Sequence, residues 1–453
     1  MVNPHIFREY DIRGTVDRDL SPQVVKQLGM GIGTLLRRAG GKRVVVGRDN
    51  RLSSPDYRDA LTAGLLATGT DVIDLGMVPT PLVYFALHTV ETDGGVMITG
   101  SHNPPEFNGF KVAVGKSTLW GDRIQEIRRI IEEESHTVGE GSLTSRDVLG
   151  PYRETLLERI SLDGPLKVAV DGGSGTAGIV APDLVRALGC EVTELYCEPD
   201  SSYPGHFPDP TIPANLEELI TVVRERGLDV GLSYDGDSDR IGVVDNRGNI
   251  LWGDQLLMIF AREILSRGPA SIIFEVKCSQ NLEKDIRNHG GNPIMWKTGH
   301  SLIKEKMNQE KAALGGEMSG HIFFADEYFG YDDAVYASLR LLRIMAAAAV
   351  PLSEMLSDVP PTSSTPEIRL PCPDERKFEV VSQIASRLRD KYEVIDIDGV
   401  RVKYDDGWAL LRASNTQPVL VARFEALSPE RLEEIREEMF AELKRFPYLE
   451  LPD

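Results

Sequence analysis

One unit recurs three times along the chain, and it narrows the possible folds more than any other feature. A short apolar strand runs into a polar turn, then a helix, a small-residue break and a second strand. The first copy is RVVVGRDNRLSS, a helix over 60–67 and TGTDVIDLG. The second is LKVAVDGGSGTAG, a helix over 182–188 and GCEVTELY. The third is SIIFEVKCSQ, a helix over 282–289 and GGNPIMW. Two strands joined by a crossover helix pair in parallel. Three such units predict three related α/β domains. A chain of 453 residues has room for about three domains, or four.

Composition places the breaks between them. Residues 135–150 are polar and rich in Gly and Ser, and near 249–254 strands give way to a helical run over 255–265. The stretch VPPTSSTPEIRLPCP, 359–373, reads as a linker in which prolines stop both helix and sheet. Beyond it the pattern is helix (378–392), strand (393–397), a hairpin at Asp405-Asp406-Gly407, strands through Phe424 and a charged helix. That is an α+β unit. The expected segments are 1–148, 149–252, 253–362 and 370–453.

With 50 Lys+Arg against 70 Asp+Glu the net charge is −20, which argues against nucleic-acid partners, since these need a basic surface. A small phosphorylated substrate needs only a few local cations. Cys190, Cys197, Cys278 and Cys372 contain no CxxC, so neither a zinc knuckle nor a disulfide framework is expected. The opening MVNPHIFREYDIRG lacks the apolar core of a signal peptide. The longest apolar run, 344–352, is too short to span a bilayer. No membrane partner and a cytoplasmic location are therefore expected.

Four motifs carry chemistry. DGDSDR, 235–240, sits between two apolar strands. Its three carboxylates, Asp235, Asp237 and Asp239, alternate in a tight loop and can converge on a hard cation such as Mg²⁺. An EF-hand is excluded, because Arg240 and Asn246 stand where Gly and Glu are required. A solvated acidic turn is the competing reading, disfavoured by mutual repulsion. TGSHNPPEFNGFK, 99–111, follows the strand GGVMI. It presents Ser101 at a strand's C-terminal end, where open α/β sheets place ligands. His102 as the base for Ser101 is not expected, since sequence neighbours seldom face each other, and there is no G-x-S-x-G elbow. GGEMSGH, 315–321, sets Glu317 and Ser319 to bind sugar hydroxyls, with His321 beside them; His300 lies in KTGHS. RASNTQP, 412–418, joins the planar fork of Arg412 to the donors of Ser414, Asn415 and Thr416. A fifth stretch, GSGTAG at 173–178, matches the dinucleotide fingerprint, with Glu194 at a distance suited to a ribose. The equivalent turns of the other repeats lack it, and a nicotinamide enzyme would leave the four motifs idle.

These motifs, in this order and with FREYDIRG at 7–14, resemble the α-D-phosphohexomutase family, in its bacterial phosphomannomutase/phosphoglucomutase branch. The resemblance implies three related α/β domains with mixed parallel sheets and a C-terminal α+β domain around a central cleft. It implies a phosphoserine at Ser101 and Mg²⁺ held by Asp235, Asp237, Asp239 and Ser101. Lys111 and Arg240 match residues near the phosphoserine, and Tyr10, Arg13, Lys277 and His300 match residues of the cleft. His321 matches an acid/base, Glu317 and Ser319 sugar contacts, and Arg412, Ser414, Asn415 and Thr416 a phosphate clamp. The implied reaction moves phosphate between C1 and C6 of a hexose through a hexose 1,6-bisphosphate, which also serves as activator, with His321 or Lys111 taking the hydroxyl proton. GEMSGH matches the glucose/mannose branch rather than the glucosamine one. A phosphoglucosamine mutase, a Mg²⁺-dependent sugar phosphatase, a glycosyltransferase and a non-catalytic sugar-phosphate sensor are the alternatives. The partners expected are small sugar phosphates, and the protein is expected as a monomer or homodimer.

Overall fold

A computed structural model of the chain describes residues 2–414, 418–449 and 451. The three repeats are built alike. In each, the first and second strands pair in parallel: Arg43–Arg48 with Asp71–Met77, Lys167–Asp171 with Glu191–Leu195, and Ser271–Glu275 with Asn292–Trp296. The chain then returns to the other side of the first strand and lays down a third parallel strand, Gly94–Ile98, Val230–Tyr234 or Leu314–Gly316. A hairpin reverses it into an antiparallel fourth strand, Phe107–Val114, Ile241–Asp245 or Ile322–Phe324. The third strands are buried along their whole length. This explains their continuous apolar or small-residue runs, because both faces are covered.

Local chemistry sets the helix starts. The first crossover helix spans Ser54–Leu66, six residues earlier than the apolar pattern suggests. Pro55 lies in its first turn, where a missing N–H leaves no hydrogen bond unmade. The polar stretch after 135 is less of a break than its composition implies, since Leu143–Ser145 pairs in parallel with Asp71–Met77 and extends the first sheet.

The proline-rich stretch over 359–373 also departs from expectation. Ile368–Pro371 and Ser363–Ser364 both pair antiparallel with Val419–Ala426. Prolines are tolerated there because these segments form the sheet's outer side, where a missing donor breaks no inner ladder. The remaining strands, Glu393–Ile395, Val400–Tyr404 and Gly407–Ala413, complete an antiparallel sheet, and Asp405 and Asp406 form the turn between the last two. The helices Lys377–Arg389 and Pro429–Leu443 bury Ile384, Leu388, Ile435 and Met439 against it in a core of its own. By contrast, one apolar core runs through the three repeats, from Phe85 through Tyr152, Leu232 and Phe260 to Tyr336. Among the described residues no helix is long and apolar enough to cross a membrane.

Candidate active site

The hairpin between third and fourth strands is the same loop three times over: 99–106, 235–240 and 317–321. These loops hold Ser101, the three aspartates and the Glu317–His321 segment, and they meet. Ser101 is 3% exposed and its φ of 50° is left-handed, a conformation that costs a non-glycine residue and clusters at functional loops. Its Oγ donates to Asp235 Oδ2 at 2.8 Å. It also lies 3.1 Å from His102 Nδ1. The neighbours therefore do face one another, contrary to the sequence reading, because the left-handed turn at Ser101 brings consecutive side chains to one side.

Asp235 closes its own loop: Oδ1 accepts from the backbone N–H of Asp239 at 3.0 Å and of Arg240 at 3.1 Å. Asp237 Oδ2 accepts from Thr80 Oγ1 at 2.6 Å and Lys111 Nζ at 2.7 Å, and Lys111 also bonds Asp239. Burial, and then the charges of Asp239 and Asp237, push the Asp235 carboxyl well above the carboxylate range. Burial opposes the charge on Lys111, but Asp237 and Asp239 outweigh it and hold the ammonium protonated. In this arrangement Lys111 serves as the charge partner of Asp237 and Asp239. Lys111 and Arg240 together do not balance three carboxylates. One oxygen from each aspartate lies within 4.8 Å of the others. Asp237 Oδ1 and Asp239 Oδ1 are buried without a hydrogen-bond partner. Orphaned, closely grouped hard oxygens are the donor set of a small divalent cation.

The imidazoles lie alongside. His321 Nε2 accepts from Arg240 Nε at 2.9 Å, which places the ring proton on Nδ1. Nδ1 is 3.3 Å from Asp332 Oδ2 and 3.7 Å from Asp239 Oδ1. His300 stacks on His321 with ring centroids 5.7 Å apart, and its Nδ1 is 3.4 Å from the same Asp332 oxygen. Burial, then the nearby Lys304 ammonium, lower the His300 pKa. Tyr10 meets His300 edge-on, and its hydroxyl donates to Thr298 O at 2.8 Å. Arg13 pairs with Asp11 at 2.6 Å, and its charge helps to lower the His102 pKa, after burial and Arg240.

Glu317 accepts from the Gly299 N–H at 2.5 Å, and Ser319 is half-buried on the same hairpin. Lys277 Nζ lies 2.6 Å from Glu367 and 3.4 Å from Glu275. Arg412 is tied by Nε and Nη2, each at 3.0 Å, to Asp398 Oδ2, which also accepts from Thr298 N–H at 3.1 Å. Asp398 is one of several links between the fourth unit and the third: Arg401 Nη1 donates to Cys278 O at 2.8 Å, and Glu425 accepts from the Gln280 N–H at 3.1 Å. Ser414 is buried and its N–H donates to Val419 O at 3.0 Å. Asn415 and Thr416 lie outside the described residues.

GSGTAG serves the site in another way than its fingerprint implies. A methyl group on Gly175 would sit 2.8 Å from Gly236 O in the aspartate loop. Thr176 donates to that oxygen from N–H at 3.1 Å and from Oγ1 at 3.2 Å, and Oγ1 lies 3.0 Å from Ser238 Oγ. The glycines permit close backbone approach, but to a protein loop rather than a pyrophosphate. Glu194 is at the surface, paired with Arg186. Sequence reasoning missed Thr80, Thr176, Asp332, Asp398, Glu275 and Glu367. Thr176 lies in GSGTAG, where only the glycine pattern was read, and the others lie in none of the motifs singled out for their chemistry.

Four family profiles match the chain: "Phosphoglucomutase/phosphomannomutase, alpha/beta/alpha domain I" over residues 4–138, domain II over 151–248, domain III over 252–362 and "C-terminal domain" over 367–442. A Pseudomonas aeruginosa protein described as phosphomannomutase/phosphoglucomutase is 46% identical over 433 residues, 95% of this chain and 94% of that one. A Neisseria gonorrhoeae phosphoglucomutase is 42% identical over 453 residues, 99% and 98% of the two chains. A crystal structure of a Burkholderia thailandensis phosphoglucomutase/phosphomannomutase family protein superposes with a TM-score of 0.94 at 43% identity, over 100% of both chains.

Proposed function

The chain belongs to the phosphoglucomutase/phosphomannomutase family, and from that premise we propose that it interconverts hexose 1-phosphates and hexose 6-phosphates of glucose and mannose through phosphate carried on Ser101. The observation that carries this reading is the 2.8 Å bond from Ser101 Oγ to the first of three converging aspartates. Thr80 Oγ1 also bonds the cluster, through Asp237, but it lies at the start of the helix Thr80–Thr89 and not in a left-handed loop. The residues fit Mg²⁺, which Asp235, Asp237, Asp239 and the Ser101 phosphate would hold. When bound, it supplies charge neutralisation for a transferring phosphoryl group.

The chain's own residues do the rest. Arg412 and Ser414 bind the substrate's existing phosphate, and Glu317 and Ser319 hold the sugar hydroxyls. The free hydroxyl attacks phosphorus, the Ser101 Oγ–P bond breaks, and a sugar O–P bond forms. We assign the hydroxyl proton to His321, whose Nε2 is freed for it when the Arg240 guanidinium, which donates to that nitrogen here, turns to the phosphoryl oxygens. Lys111 and Arg240 offset the charge that gathers on the equatorial oxygens. The product is a hexose 1,6-bisphosphate. Turned end for end, it returns its other phosphate to Ser101. The same bisphosphate loads a serine that has lost its phosphate, which makes it the activator. Burial of Ser101 supports transfer to sugar over transfer to water. The small partners are sugar phosphates, and the four buried free thiols suit a cytoplasmic enzyme.

The test is a coupled assay with glucose 1-phosphate and mannose 1-phosphate, Mg²⁺ and a trace of bisphosphate, on the wild type and on Ser101→Ala. Isomerised product without inorganic phosphate is expected. Phosphate release alone would make the protein a phosphatase, and undiminished turnover by Ser101→Ala would end the serine assignment.

A further inference from the structure

The turn after the first strand, Asp49-Asn50-Arg51 in RVVVGRDNRLSS, entered the sequence reading only as part of the repeat, yet it grips both loops that must meet at the phosphoryl group. Arg51 is 2% exposed. Its Nη1 donates to Pro104 O at 2.6 Å and Phe107 O at 2.9 Å. Its Nη2 donates to Ser101 O at 2.8 Å and to Asn103 O. One guanidinium thus gathers four carbonyls of the serine loop. Nε lies 3.2 Å from Asp49 Oδ2, and that oxygen also accepts from the Gly100 N–H at 3.1 Å. Gly100 has no room for a side chain, since a Cβ there would fall 2.4 Å from the guanidinium carbon.

The middle residue faces the other way. Asn50 Nδ2 donates to Ser174 O at 2.8 Å, in the loop whose Thr176 holds Gly236 of the aspartate hairpin. Gly236 in turn packs on the Ser101 carbonyl, which a Cβ at that position would approach to 2.6 Å. The turn therefore ties the serine loop to the aspartate loop from beneath.

We propose that Arg51, fixed by Asp49, is a positioning residue that sets the left-handed Ser101 turn and thereby the place of the Ser101 oxygen against the aspartates. This rests on the reading of Ser101 as the phosphate carrier. A lysine is no substitute. It is a point charge with three donors on a flexible stem, whereas four carbonyls in two directions need a planar fork.

The experiment measures kcat, KM for glucose 1-phosphate, the Mg²⁺ concentration at half-activity and the thermal midpoint for wild type, Arg51→Lys, Arg51→Ala and Asp49→Asn. Intact-protein mass after incubation with glucose 1,6-bisphosphate reports phosphate on the serine. Displacement of a reacting atom by an ångström lowers rate by about a hundredfold, so kcat is expected to fall by about that factor in Arg51→Lys. KM should change little, because the clamp is untouched, whereas the Mg²⁺ requirement should rise, because the Ser101 phosphate is one of the cation's proposed ligands. Added guanidinium is expected to restore part of the rate in Arg51→Ala, and methylammonium is not. Folded variants with wild-type kcat would overturn the proposal, as would equal rescue by both cations or a loss confined to KM. A wild-type protein that takes up no phosphate, or takes it up equally as Ser101→Ala, would instead overturn the reading of Ser101. An Arg51→Lys variant too unstable to assay leaves the guanidinium rescue and Asp49→Asn to decide.

Discussion

Two sets of loops leave the same edge of the three related sheets. The hairpins after the third strands carry side chains whose polar atoms outnumber their partners: Asp237 Oδ1, Asp239 Oδ1 and His321 Nδ1 are buried without a hydrogen bond. The turns after the first strands also leave atoms over, Asn50 Oδ1 and Arg51 Nε among them, but these are not acidic oxygens grouped about one point. Arg51 serves four carbonyls and Thr176 bonds both Gly236 and Ser238. The third repeat breaks the division, because its first turn places Lys277 between Glu275 and Glu367. Equivalent position in a repeated unit therefore does not set the role. A buried group left short of partners is costly by itself, and where several gather, a ligand is the economical explanation. Groups whose donors are mostly spent on backbone carbonyls hold the first kind in place.

The largest expected effects test the hairpins. Ser101→Ala and Asp237→Ala should each lower turnover by at least about a hundredfold, since the first removes the covalent route and the second a cation ligand. In Asp237→Ala the rate that remains should no longer respond to Mg²⁺, and the coupled assay with and without chelator reads this directly. A hairpin variant that kept wild-type turnover would erase the contrast between the two sets.

Next come the turns. Gly175→Ala puts a methyl against Gly236 O and should weaken Mg²⁺ binding by about tenfold while the protein remains folded, in keeping with other supporting residues of metal sites. Calorimetric titration with Mg²⁺ gives the number, and unchanged affinity would mean that the fit between these loops does not matter.

A carboxyl outside both sets serves as the contrast. Asp333 caps the helix Ala334–Ala347 through Tyr336 N–H and accepts from the hydroxyls of Tyr152 and Tyr328. Burial raises its pKa from 3.8 to about 7, with Asp332 adding to the rise. The folded state then holds a proton that the unfolded chain releases above its ordinary carboxyl pKa. Stability from this group is full at low pH and is lost as pH climbs toward about 7, by at most about 1.4 kcal/mol per pH unit. Asp333→Asn keeps the cap and should flatten that decline. Urea unfolding of both proteins at about pH 5 and about pH 8 compares the slopes, and parallel slopes would remove Asp333 from the account.

The smallest effect is expected of Thr176→Val, which deletes one hydroxyl and keeps the backbone bond to Gly236. A stability loss of about 1 kcal/mol and a several-fold rise in the Mg²⁺ requirement are expected. A loss as large as that of Gly175→Ala would show that the hydroxyl, not the backbone contact, holds the aspartate loop.

Much of the fold was legible because strand–helix–strand patterning is local. The first helix began earlier than its apolar face suggested, since Pro55 starts a helix without contributing to that face. The strand Ile368–Pro371 was hidden behind prolines that an outer edge tolerates. In the site, Asp235, Asp237 and Asp239 were readable because their spacing alone brings three acids together. Arg51 and Asp332 were not, as each acts on residues far along the chain. GSGTAG was not taken as a dinucleotide site, yet its contact with the aspartate loop stayed hidden, because glycines report close approach without saying to what.

By itself the sequence determined the repeated strand–helix–strand unit, the alternate acids of 235–240 and the presence of a hydroxyl at a strand's end. These depend on neighbouring residues and on chain stereochemistry. Only the tertiary structure decided that Ser101 reaches Asp235 across 134 residues, and that one buried turn holds two loops. Those contacts depend on how three sheets pack around a common core, which no short window of residues contains.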